Sequence, residues 1–75
     1  MKSADVLIGK WGRILAGENA GLYVFVQDDS ATTGGFFIFQ SREKSIEQGF
    51  DNWAETLDAV RRFFEFAGWE VEWSE

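Results

Sequence analysis

The chain has 75 residues, with thirteen acids against seven bases for a net charge of −6, and it contains neither cysteine nor histidine. Those facts exclude disulfides, thiolate chemistry and the usual zinc sites. The acidic balance opposes phosphate backbones and anionic membranes, because it removes the counterion release that drives such binding.

One domain, residues 1–75, is all this length allows. A chain so short buries only ~60–65% of the surface its unfolded form exposes, and eight Phe and four Trp supply the apolar payload that staples would otherwise reinforce. The opening MKSADVLIGK has too short an apolar run for a signal peptide, and no window approaches a membrane span, so a cytoplasmic location is the expectation.

In chain order, Val6-Leu7-Ile8 reads as an extension of the first strand or as a single helical turn, and WGRILA (11–16) fits a short strand. GENAG (17–21) is a turn, its Gly and Asn residues tolerating positive φ. LYVFVQ (22–27) is rich in β-branched and aromatic residues and is the best strand. The polar DDSATTG (28–34) connects it to a further strand, GFFIFQ (35–40), so that short loops predict an antiparallel meander. From Ser41 to Gly49 the chain is polar apart from Ile46, which suits a loop or one helical turn.

A helix follows. Asp51 or Asn52 caps it, and Asn52 with Glu55 has capping-box spacing. Trp53, Leu57, Val60, Phe64 and Ala67 form one apolar stripe with Phe63 at its edge, while Glu55, Asp58, Arg62 and Glu65 fall opposite. Gly68 ends the helix as a left-handed residue and lets Trp69 fold back on Phe64. In WEVEW (69–73), Trp69, Val71 and Trp73 alternate with Glu70 and Glu72, the pattern of a half-buried strand. The expected fold class is α+β: a three-stranded antiparallel meander, one C-terminal helix packed on the sheet, and a final short strand, βββαβ.

The central strands pose a surface problem. Leu22, Val24 and Val26 share one face and Tyr23, Phe25 and Gln27 the other; Phe36 and Ile38 oppose Phe37 and Phe39. Both strands are apolar on both sides, yet a single helix covers one side of a sheet. Four aromatics of ~200 Å² each, half left wet, expose ~400 Å², which represents on the order of 10 kcal/mol. Three covers are possible: the N-terminal segment (Val6, Leu7, Ile8, Trp11), a second copy of the chain, or another partner.

Catalytic signals are sparse. Without histidine, a nucleophile would need a lysine, and Lys2, Lys10 and Lys44 sit in polar stretches. Asp28-Asp29, leading into SATTGG, is the remaining carboxylate option, although a hairpin connection with side-chain hydrogen bonds explains it as well. No glycine pattern has the strand–turn–helix order of a phosphate cradle. An aromatic sheet can stack bases, but Arg13, Arg42, Lys44, Arg61 and Arg62 are interleaved with acids and make no basic groove. Glu43, Glu47, Asp51, Glu55 and Asp58 recur every three or four residues and would form an acidic ridge if helical, or else a solvated face.

The expectation is therefore a non-enzymatic protein-interaction module that needs no cofactor or metal and binds neither nucleic acid nor membrane. Tyr23, Phe25, Phe37 and Phe39 would bind through the sheet face, either another protein or a second copy in a homodimer. Glu43, Glu47, Glu55 and Asp58 would dock a basic partner, and the general character resembles bacterial immunity and inhibitor proteins without carrying a motif of theirs. The alternatives are a small carboxylate- or metal-dependent enzyme centred on Asp28 and Asp29, and a binder holding a small apolar ligand between sheet and helix.

Overall fold

Alternation decides where the core lies. In β2 (Tyr23–Asp29) Val24 and Val26 are buried, and in β3 (Gly35–Ser41) Ile38 and Gln40 are buried on the same side. These two strands pair antiparallel, with Val26 opposite Ile38 and Phe25 opposite Phe39. β1 (Trp11–Ala16) pairs with the other edge of β2 and places Ile14 on the same buried side. The expected meander is present. The computed structural model describes residues 6–44 and 49–73.

The sheet is larger than expected. Phe50–Ala54 form a further strand, β4, antiparallel to β3, with Phe37 opposite Trp53 and Phe36 opposite Ala54. The helix α1 (Leu57–Ala67) follows, and β5 (Glu70–Trp73) pairs with β1, giving the order β4-β3-β2-β1-β5. The chain thus leaves one edge of the sheet, crosses a face as a helix, and returns as the opposite edge. The α+β class holds, with the order ββββαβ in place of βββαβ.

The helix is correspondingly shorter than the sequence pattern suggests. Thr56, not Asp51 or Asn52, is its cap: the backbone there is extended, and the Thr56 hydroxyl accepts from the Ala59 N–H at 3.0 Å. Asn52 and Trp53 belong to β4, so Trp53 is absent from the helical stripe. Val60, Phe64 and Ala67 are buried, and Leu57 and Phe63 pack at the edges. Gly68 takes the left-handed conformation at φ 70°, and the Trp69 N–H donates to the Phe64 carbonyl at 3.1 Å, as the sequence foretold. Thr56→Ala removes one acceptor from the first turn and is expected to cost about 1 kcal/mol in urea unfolding. An unchanged midpoint would show that the cap contributes nothing.

Phe64 is the centre of the core, its ring edge-on to Trp69 at 4.8 Å and stacked near Trp73 at 6.1 Å. The turn after β1 fastens the helix end. Asn19 sits at φ 60°, the Glu18 N–H donates to the Ala67 carbonyl at 3.0 Å, and the Trp69 indole N–H donates to the Glu18 carbonyl at 2.6 Å. Among the described residues, no helix is long and apolar enough to cross a membrane.

Candidate functional site: the open aromatic face

The helix packs against Val24, Val26 and Ile38, so strand alternation sends the intervening residues to the other side of the sheet. Pairing then arranges that side in rows. Trp11, Phe25, Phe39 and Asp51 run across it from β1 to β4. Beside them lie Glu72, Arg13, Tyr23 and Ser41 on one flank, and Gln27, Phe37 and Trp53 on the other. Tyr23, Phe25, Phe37 and Phe39, grouped from the sequence, share this one face, and Trp11 and Trp53 extend it.

The N-terminal segment is not its roof among the described residues. Val6 packs against the helix-side core, and Trp11 is itself part of the open face, its ring 5.0 Å from that of Phe25. Leu7 and Ile8 are exposed, and Ile8 lies alongside Val26 with the Gly9 N–H donating to the Val26 carbonyl at 2.8 Å. The rings shield one another instead: Phe37 and Phe39 stack at 5.7 Å and 25°. At the Tyr23 end, the Lys44 ammonium stands 5.0 Å above the phenol ring, a cation–π contact.

Trp53 is the most accessible ring of the group, 48% exposed, yet it is held in place. Its indole N–H donates to the Thr33 hydroxyl at 2.9 Å, and that hydroxyl donates to the Asp29 carbonyl at 3.3 Å. The ring lies across Gly35, where a side-chain carbon would stand 2.5 Å from it. Glycine at 35 is thus the floor on which the indole rests. Sequence reasoning missed Trp53 because its four-residue spacing from Leu57 matches a helix; its neighbour Thr56 was the signal that the helix begins later.

The acidic ridge does not assemble. Residues 50–54 are extended, which puts Asp51 on the open face, while Glu55 precedes the helix cap and Asp58 pairs with Arg62 at 2.9 Å on the helix surface. Glu43 follows β3, its N–H donating to the Ser41 hydroxyl at 3.1 Å, and Glu47 lies outside the described residues. Asp28 and Asp29, as successive strand residues, project to opposite faces and are not a carboxylate pair. The Asp28 carboxylate accepts from the Ser30 N–H at 2.9 Å. That bond first, and one to the Ser30 side chain second, hold its pKa below the usual value, as befits a turn.

Among the described residues no three acidic side chains gather as a metal site. A cleft of about 420 Å³ opens at the end of β3. It is lined by Asn19, Leu22, Gln40, Ser41, Arg42 and Glu43. Asn19 donates to the buried Gln40 amide oxygen at 2.9 Å in its wall. Compared with known protein families, curated proteins and solved structures, the chain has no match.

Proposed function

We propose that this protein is a non-enzymatic interaction module whose open aromatic face docks on a different protein. The observation that carries the reading is the gathering of Trp11, Tyr23, Phe25, Phe37, Phe39 and Trp53 on the sheet face that the helix leaves bare. Aromatic residues supply large contact area with little entropy loss on ordering, the properties of interface anchors.

Charge argues for a partner other than a second copy. The open face carries Asp29, Asp51, Glu70 and Glu72 around its rings, against Arg13 and Lys44, and each chain bears a net −6. Face-to-face association of two copies would bring these acids together. Five strands spaced ~4.8 Å apart and ~20 Å long offer ~400–500 Å² per partner, which suits a transient complex.

Affinity capture from a lysate of the source organism tests this, with sedimentation of the isolated chain alongside. Phe37→Ser is expected to lower partner recovery at least about tenfold. Phe66→Ser, on the helix surface where that ring is 87% exposed, is expected to leave recovery unchanged. Equal recovery by both variants, or a chain that sediments as a dimer through this face, would overturn the reading.

A further inference from the structure

The two ends of the aromatic face differ in one respect. At one end the chain's own Lys44 lies over Tyr23. At the other, Trp53 is larger, more exposed and fixed in place by Thr33 and Gly35, and no cation of the described residues lies over it. Carboxylates flank it instead. Asp51 stands two residues earlier on the same strand and face, ~7 Å away by strand geometry. Asp29 stands opposite Gly35, the residue over which the indole lies. Neither carboxylate has an ion-pair partner among the described residues.

We infer that the Trp53 indole with Asp29 and Asp51 forms a receptor for a guanidinium group, so that the protein docked on this face presents an arginine there. This rests on the reading of the face as a docking surface and names the chemistry of its anchor. Tryptophan is the best cation–π acceptor among the side chains. A guanidinium can stack flat on an indole while its edge N–H groups donate to carboxylates beside the ring, which a compact ammonium does less well. The indole is already immobilised, so binding orders little on this side. Arginine is also among the side chains most enriched at interface hot spots.

The test uses the intact chain, isotope-labelled, titrated at low ionic strength with a short arginine peptide, its lysine counterpart and its citrulline counterpart. The indole N–H signals of Trp11, Trp53, Trp69 and Trp73 report where each peptide sits. The arginine peptide is expected to move the Trp53 signal saturably, with the lysine peptide weaker and the citrulline peptide weaker still. Asp29→Asn with Asp51→Asn is expected to reduce arginine-peptide affinity about tenfold. Glu43→Gln with Glu65→Gln, the latter exposed on the helix surface, removes the same amount of charge elsewhere and is expected to leave affinity within about twofold.

Equal weakening by both double variants would show that binding follows net charge, and would overturn the inference. Equal binding of the citrulline peptide would overturn it too, while leaving the aromatic face as a docking surface. If no peptide moves a signal of this face yet the captured partner still depends on Phe37, the guanidinium receptor fails alone. Loss of that dependence would remove the docking surface beneath it.

Discussion

Phe64→Ala is expected to unfold much of the population at room temperature. The side chain is fully buried beneath the sheet and touches Trp69 and Trp73, the rings that tie β5 to the helix. Removing a buried phenyl ring costs ~3–5 kcal/mol, the transfer term adding to that of an uncollapsed cavity. At ~0.05–0.15 kcal/mol per residue, a chain of this size has ~4–11 kcal/mol in total. The loss therefore falls between roughly a quarter and the whole of the stability. A second consequence separates this effect from a general loss of apolar surface: the indole bond from Trp69 to Glu18, which fastens the β1–β2 turn to the helix end, depends on Trp69 being held by Phe64. Urea unfolding followed by circular dichroism measures the first effect, and amide exchange at Gly21 and Leu22 the second. A folded variant with a midpoint near that of the parent would mean that the core centre has been misplaced.

Much of this architecture is legible in the chain. Val60, Phe64 and Ala67 recur on one helical face, Gly68 stops the helix where a left-handed residue is needed, and Glu70 and Glu72 mark the wet side of β5. Alternation within each strand set Tyr23 and Phe25 apart from Val24 and Val26, and Phe37 and Phe39 apart from Phe36 and Ile38, because side-chain direction in a strand is fixed by parity alone; which set joins which depends on the register.

What was not legible is long-range. FDNWA is short, without a β-branched residue, and two of its members are helix-capping types, so nothing local announces a strand. It becomes one because β3 has a free edge and Trp53 gains a resting place on Gly35, a residue eighteen positions earlier. Likewise the seat of β5 beside β1 follows from where the helix delivers the chain, which propensity does not encode. The acidic periodicity of residues 43–58 misleads for the same reason: spacing of three or four gives a ridge only on a helix, and β4 interrupts it.

Gly35→Ala tests the link between that long-range packing and the proposed anchor. A Cβ at this position would lie 2.5 Å from both the Ala54 carbonyl oxygen and an indole carbon of Trp53. The carbonyl belongs to the β3–β4 ladder and has little room to yield, so the indole must lift and the strand pair must shift. Overpacking of this kind costs ~1–3 kcal/mol. The lifted indole also loses its bond to Thr33. Thr33→Val removes that bond while leaving the floor intact, and a hydrogen bond, here an exposed one, is worth at most ~0.5–1.5 kcal/mol. Gly35→Ala is therefore expected to be the more destabilising of the two, to shift the Trp53 indole N–H signal toward that of a solvated indole, and to weaken arginine-peptide binding more than Thr33→Val does. Both variants leave Asp29 and Asp51 in the sequence, so any difference between them reports the position of the ring rather than the local charge. If the Trp53 signal stays in place in Gly35→Ala and stability is unchanged, then the indole is not resting on the glycine, and the preorganisation on which tight guanidinium stacking depends is not there.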